Sequence, residues 1–152
     1  MNKNIAVIGA SGAIGNAFVE HYSNDQSVNI VYAFSRNKQS YENKKIQSYE
    51  LEIENQNSIQ DAAEKIKENR LNHIIVATGI LHSESFGPEK SIKDINHDSM
   101  TKVMSINTIG PSLVGRYFIP LLTKDTKSVL AFLSARVGSI SDNKLGGWYS
   151  YR

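Results

Sequence analysis

The stretch IAVIGASGAIGNAF, residues 5–18, joins a short apolar run to three evenly spaced glycines. Residues 5–8 are continuously apolar and the run stops at Gly9, a pattern typical of a strand buried on both faces. From residue 13 to residue 22 the apolar side chains recur at helical spacing, at Ile14, Ala17, Phe18 and Tyr22. The stretch therefore predicts a buried strand, a glycine turn and a helix, the first unit of an alternating α/β fold.

The same alternation continues along the chain. Further strands are predicted at residues 28–34, 46–53, 73–77 and 129–133. Between them we predict a helix capped by Asn57, with an apolar stripe at Ile59, Ala62, Ala63 and Ile66, and a long helix over 98–122. This order predicts a doubly wound parallel sheet of the Rossmann type, a three-layer α/β/α fold, with residues 1–152 as a single domain. The full fold has six strands and five are found, so we expect the C-terminal part to be missing.

The composition argues against several classes of partner. The chain is 40% hydrophobic and 21% charged, and 17 basic residues nearly balance 15 acidic ones, for a net charge of +2. That balance predicts neither nucleic acid nor a membrane surface as partner, and no apolar run approaches the ~20 residues of a membrane span. There is no cysteine, and the histidines at 21, 73, 82 and 97 lack metal-ligand spacing. We expect a cytoplasmic protein without a metal site.

The three glycines, Gly9, Gly12 and Gly15, lie between the first strand and the first helix. A turn that binds a dinucleotide must be tight, must let the backbone approach the pyrophosphate and must let the helix pack closely on the strand, and glycine serves all three needs. The helix N-terminus adds N–H donors and a positive dipole. We therefore predict a nucleotide-binding loop formed by the glycines together with Ser11, Ala13 and Ile14.

The end of the second strand indicates which nucleotide is bound. An NAD-binding domain usually has an acidic residue there that bonds the ribose 2′-OH. This chain has Ser35 and Arg36 at that point, and an arginine suits a 2′-phosphate. The sequence thus favours NADP over NAD. The alternative is that Arg36 is an ordinary solvated loop residue with no role in binding.

The last residues, ARVGSISDNKLGGWYSYR at 135–152, add the most specific motif. With them the sequence resembles the short-chain dehydrogenase/reductase family, and within it the C-factor-like and sniffer-like carbonyl reductases. The resemblance implies that Tyr151 is the catalytic acid, with Trp148 and Tyr149 in a substrate loop beside it. In the family a lysine four residues later activates the tyrosine, because a phenol with an ordinary pKa of about 10 needs a nearby cation to transfer protons near neutral pH. The sequence ends at Arg152, so we expect a chain truncated inside this motif and inactive alone.

The resemblance also implies roles for residues in the middle of the chain. Asn107 would hold a water of the proton relay, and Pro111 predicts a kink there, because it has no N–H for the carbonyl of Asn107. A serine after the fifth strand would polarise the substrate carbonyl. Ala135 occupies the position where the family usually has this serine, which leaves Ser134 and Ser139 as equal candidates. Contacts to the cofactor's ribose and adenine are implied for Ala77, Thr78, Gly79, Glu52 and Ile53.

Three functions are compatible with these residues. The first is an oxidoreductase that reduces a ketone or aldehyde with NADPH, with Tyr151 as general acid. The second is a non-catalytic nucleotide-binding or cell–cell signalling protein, and the third an NAD-linked epimerase, which Arg36 disfavours. We expect a small carbonyl or alcohol substrate. For the complete protein we expect a homodimer or homotetramer, formed through helix positions that could equally face the sheet: Met100, Val103, Met104, Tyr117, Phe118 and Leu121.

Overall fold

The computed structural model describes residues 3–152, and its centre is one five-stranded sheet. The strands lie in the order β3-β2-β1-β4-β5 and every neighbouring pair is parallel. They are β1 (Lys3–Ile8), β2 (Val28–Ser35), β3 (Ile46–Glu50), β4 (His73–Val76) and β5 (Val129–Phe132). The order reverses between β1 and β4, which opens a crevice beyond the carboxyl ends of these two strands. The predicted doubly wound fold is confirmed.

The alternation along β1 divides the core into two parts. Ala6 pairs with Tyr32 on one side and Ile74 on the other, so β1 is hydrogen-bonded along both edges. Ala6 and Ile8 belong to one buried cluster, whereas Ile5 and Val7 belong to the other. Because successive side chains of a strand point to opposite faces, both faces of the sheet need a covering layer.

Helices supply a layer on each face. Helix α1 (Ala13–Asn24) buries Val19 on one face. Helices α2 (Gln56–Glu64) and α4 (Gly110–Phe118) cover the other face with Ile59, Val114 and Phe118. The ring of Phe118 meets that of Phe34 edge to face, with centroids 5.4 Å apart. The result is the predicted three-layer α/β/α arrangement.

The long helix predicted over residues 98–122 is found over 97–121, but it is not α-helical throughout. It consists of α3 (His97–Met104), a π-helical turn (Ser105–Ile109), α4 and a 3₁₀ turn (Ile119–Leu121). Pro111 lies near the start of α4, which follows the π-helical turn without a break, so its missing N–H removes a donor inside the helical run. The helix is widened by one π-helical turn just before this proline.

Two predicted boundaries are wrong. Strand β3 ends at Glu50, three residues earlier than predicted, and residues 51–53 turn towards α2. The cap of α2 is Asn55, because its side-chain oxygen accepts from the backbone N–H groups of Asn57 (3.0 Å) and Ser58 (3.2 Å). Asn57 is instead inside the first turn.

The helix positions suggested for subunit contacts divide between core and surface. Val103, Phe118 and Leu121 are buried within the chain itself, whereas Met104 is 46% exposed. Phe118 and Leu121 belong to the core cluster on the sheet, whereas Val103 lines a small pocket with Phe86 and Tyr151. All three are buried within the chain and are not free to pair with another subunit.

Candidate active site

A groove of about 490 Å³ lies along the carboxyl ends of the first four strands. Ten of the residues predicted to bind a cofactor line it: Gly9, Ser11, Gly12, Ser35, Arg36, Glu52, Ile53, Ala77, Thr78 and Gly79. Three do not: Ala13, Ile14 and Gly15 form the first turn of α1. Of these, Gly15 is buried against the loop, whereas Ile14 is 60% exposed.

The glycine turn fixes the end of β1 beside the end of β4. Gly9 has φ +89°, and a Cβ there would lie 3.0 Å from the backbone of Ala77. The N–H groups of Gly9 and Ala10 both donate to the carbonyl of Phe34 at 2.9 Å. Helix α1 then begins after Gly12 with no side-chain cap and no acidic residue in its first turn. Its first N–H groups are thus available to an anion such as a pyrophosphate.

A buried hydroxyl points to a missing partner in the same groove. The Oγ1 atom of Thr78 is buried and has no hydrogen-bond partner among residues 3–152. A buried polar atom is normally paired, so Thr78 fits a ligand that brings its own polar groups. Together with the open helix terminus, this makes the groove suitable for a dinucleotide.

The rim of the groove carries charges of both signs. The Ser35 hydroxyl donates to the carbonyl of Asn37 at 2.8 Å and closes the turn that holds Arg36. Arg36 is exposed, and within the described part of the chain no carboxylate pairs with it. Across the groove, Lys102 on α3 forms an ion pair with Glu54. Sequence reasoning missed this pair, because its two members are 48 residues apart and neither belongs to a motif.

A second cavity of about 380 Å³ adjoins the groove, and Thr78 and Gly79 line both. Its walls include three of the four predicted catalytic residues, Asn107, Ser134 and Tyr151. The structure therefore brings together side chains from the π-helical turn, the end of β5 and the last residues of the chain.

Asn107 is tightly held by the loop that follows β4. Its Nδ2 donates to the carbonyl of Ile80 at 2.7 Å, and its Oδ1 accepts from the N–H of the same residue at 2.8 Å. These two hydrogen bonds join the π-helical turn to the loop after β4. They thereby fix the position of Thr78 and Gly79, which line both the groove and the second cavity. Ile80 is a partner that no sequence signal indicated.

The two candidate serines are placed differently. A Cβ on Gly138 would lie 3.6 Å from Cε1 of Tyr151 and 3.7 Å from Oγ of Ser134, so these two side chains converge over Gly138. Ser139 does not line the cavity. Its hydroxyl lies 3.1 Å from that of Ser141 and accepts from the N–H of Asp142 at 3.2 Å, which stabilises a turn.

Comparison with known proteins identifies the family of the chain. The family model of short chain dehydrogenases matches residues 3–150. The chain belongs to the short-chain dehydrogenase family. A crystal structure with a similar fold is that of the putative carbonyl reductase Sniffer of Caenorhabditis elegans, which matches with a TM-score of 0.86. It is 20% identical, and the match covers 100% of this chain and 73% of that one.

Two curated relatives resemble the chain in sequence. The 1-hydroxy-2-glutathionyl-2-methyl-3-butene dehydrogenase of a Rhodococcus species is 28% identical over 104 residues, 67% of this chain and 42% of the relative. The C-signal of Myxococcus xanthus is 31% identical over 62 residues, 41% of this chain and 37% of the relative. The matched part is thus about two-fifths of each relative's length.

The part of the chain that the structure describes, residues 3–152, shows neither a membrane-spanning helix nor a metal-binding cluster. No helix there combines the length and the apolar character needed to cross a membrane. In the same range no three histidine or acidic side chains come close enough together to hold a metal ion.

Proposed function

We propose that the chain forms the cofactor-binding and catalytic part of an NADPH-dependent reductase of ketones or aldehydes. The observation that supports this most directly is the cavity shared by Asn107, Ser134 and Tyr151, which opens into the nucleotide-sized groove through Thr78 and Gly79. A hydroxyl donor, a phenol and an adjoining dinucleotide groove are among the parts that carbonyl reduction requires.

The groove residues would hold the cofactor at several points. The glycine turn, which ends at the open N-terminus of α1, suits the pyrophosphate, and the Thr78 hydroxyl suits a ribose oxygen. Ile53 and Glu52 suit the adenine, and Arg36 is placed at the rim for a 2′-phosphate. When bound, the reduced nicotinamide supplies a hydride to the carbonyl carbon.

The residues of the second cavity would handle the substrate oxygen. Ser134 donates a hydrogen bond to the carbonyl oxygen and orients it, and Tyr151 gives that oxygen its proton. Asn107 keeps the loop after β4 in place through Ile80, so that substrate and cofactor meet at Thr78 and Gly79. Ser139 has no part in this scheme, because its hydroxyl is engaged in the turn at 139–142.

The test is NADPH consumption by the complete protein, because residues 1–152 alone are expected to be inactive. The substrates are a panel of small ketones and aldehydes. We expect turnover that Tyr151→Phe removes and the matched variant Tyr149→Phe keeps. NADPH binding, measured by fluorescence titration, should be equal in both variants, since neither ring lines the groove. Full activity in Tyr151→Phe would refute the proposed role of the tyrosine.

A second candidate is a nucleotide-binding protein that signals without catalysis. The 31% identity to the C-signal of Myxococcus xanthus favours it, as does Ala135 at the position where the family usually has a serine. This alternative predicts NADPH binding with no turnover of any carbonyl in the panel.

A further inference from the structure

Glu89 is an unexpected residue in the long loop between β4 and α3. Among residues 3–152 it is the only charged side chain that is buried, at 6% exposure. A buried carboxylate destabilises the folded state unless it is hydrogen-bonded, so the hydrogen-bond partners of Glu89 should indicate its role. It lies outside both the groove and the cavity described above.

The partners of Glu89 are in the segment just before Tyr151. Its Oε1 accepts from the backbone N–H of Ser150 at 3.3 Å and also from the Ser150 hydroxyl. Its backbone carbonyl accepts from the N–H of Trp148 at 2.7 Å. One residue thus holds positions 148 and 150 through its main chain and its side chain together.

The held segment has an uncommon backbone. Trp148 has φ +58°, which is rare for a residue other than glycine, and Gly147 has φ +75°. A Cβ at 147 would lie 2.8 Å from the carbonyl oxygen of Glu89, so the close approach needs glycine there. Backbone of this kind persists only where its surroundings hold it in place.

Both sides of the contact are anchored. On the loop side, the Asp94 carboxylate accepts from the N–H groups of Lys90 at 3.0 Å and Ser91 at 2.9 Å, which fixes the chain directly after Glu89. On the other side, the N–H of Arg152 donates to the carbonyl of Trp148 at 2.9 Å. Tyr151 therefore lies inside a turn whose position depends on Glu89.

We propose that Glu89 is a positioning residue for Tyr151. Through Ser150 and Trp148 it fixes where the phenol lies relative to Ser134 and Asn107. The inference rests on the proposed function in one respect, the role of Tyr151 as proton donor. It predicts that losing the carboxylate slows turnover and leaves NADPH binding unchanged, because Glu89 does not line the groove.

Two readouts separate this inference from the proposed function. The first readout is the measurement of kcat and NADPH affinity in the variants Glu89→Leu, Glu89→Gln and Ser150→Ala. The matched control is Glu84→Gln, because Glu84 is an exposed acid of the same loop. The second is acrylamide quenching of Trp148, the chain's single tryptophan, which reports on the held segment whether or not the protein turns over.

Glu89→Leu should lower kcat about tenfold, because losing a charge-assisted hydrogen bond reduces by about that factor the fraction of molecules in which Tyr151 is correctly placed. It should also raise the quenching of Trp148 fluorescence by acrylamide. Glu89→Gln should recover most of both, because its amide oxygen still accepts. Ser150→Ala should repeat the loss in milder form and add little to Glu89→Leu, since the two changes remove the same contact. Ser150→Ala buries no new group, so it provides the test if Glu89→Leu does not fold.

Unchanged quenching and unchanged kcat in Glu89→Leu and Ser150→Ala would overturn the inference. Equal losses in Glu89→Gln and Glu89→Leu would also overturn it, because an acceptor would then not be what matters. A wild-type protein that binds NADPH but reduces no carbonyl would refute the proposed function alone. In that case, increased quenching in Glu89→Leu would still support the hold on residues 148–150, and unchanged quenching would refute it.

Discussion

Replacing Gly15 by alanine should destabilise the protein although it improves the helix. Gly15 is buried in the first turn of α1, and a Cβ there would lie 2.1 Å from the carbonyl oxygen of Gly9 and 2.7 Å from its carbonyl carbon. Ordinary contacts begin at 3.4 Å, so the loop and the helix would have to move apart by about 1.3 Å. The obstructing atoms are backbone and cannot rotate away.

The magnitude follows from two opposing effects. Overpacking of this kind costs typically 1–3 kcal/mol, and a rigid backbone obstacle favours the upper end, about 3 kcal/mol. Alanine regains up to about 1 kcal/mol over glycine in a helix. The net loss in the free energy of unfolding should be about 2 kcal/mol. For a chain of this length that corresponds to a melting temperature lower by roughly 4–8 °C.

Gly115→Ala is the matched control, because Gly115 is also buried and helical. Its added Cβ would meet only side-chain atoms of Ile119 and Phe132, each at 3.8 Å, which is ordinary contact. It should therefore gain up to about 1 kcal/mol in stability from helix propensity. Urea unfolding followed by circular dichroism measures both variants. The packing argument would be refuted if Gly15→Ala had the same free energy of unfolding as the wild type, or if Gly115→Ala lowered it as much as Gly15→Ala does.

Three further predictions concern the cofactor, a helix cap and a histidine. Arg36→Ser should weaken NADPH binding about tenfold and leave NADH binding unchanged, as measured by fluorescence titration; equal losses for both would contradict a 2′-phosphate contact. Asn55→Ala should lower the free energy of unfolding by about 1 kcal/mol, whereas Asn57→Ala should change it by less than about 0.5 kcal/mol in the same urea experiment. Burial, and secondly a nearby lysine, lower the pKa of His73 from its ordinary 6.5, so the unfolded chain takes up a proton before the folded protein does. Stability should therefore fall as the pH drops below about 6.5, and it should fall less in His73→Asn; an equal fall in the variant and the wild type would contradict this.

The fold could be predicted because its signals are local. Residues 5–8 are apolar without interruption, and that is what burial on both sheet faces requires. The glycines that follow mark the turn, and the apolar stripe of α2 marks the face that meets the sheet. The side chains of the cavity could be predicted by resemblance, and Asn107, Ser134 and Tyr151 do lie together.

The remaining details depend on contacts between distant parts of the chain. We propose Ser134 rather than Ser139 because the Ser139 hydroxyl is hydrogen-bonded within the turn at 139–142, and sequence spacing does not reveal that engagement. Asn55 and Asn57 both suit a helix start, and only the geometry of residues 51–55 selects the first. Glu89 looks like an ordinary loop acid, and its partner Ser150 lies 61 residues further along.

The π-helical turn at Ser105–Ile109 has a consequence for how the chain can change in length. Each residue of an α-helix advances the helix by about 100°, so deleting one residue from this turn would rotate everything after it by that angle. Val114 and Phe118 would leave the core, and Asn107 would lose its register with Ile80. The exposed loop at 124–127 carries no such constraint. Insertions and deletions among natural relatives should therefore accumulate in that loop and avoid the widened turn, whose extra residue is inherited as a fixed spacing.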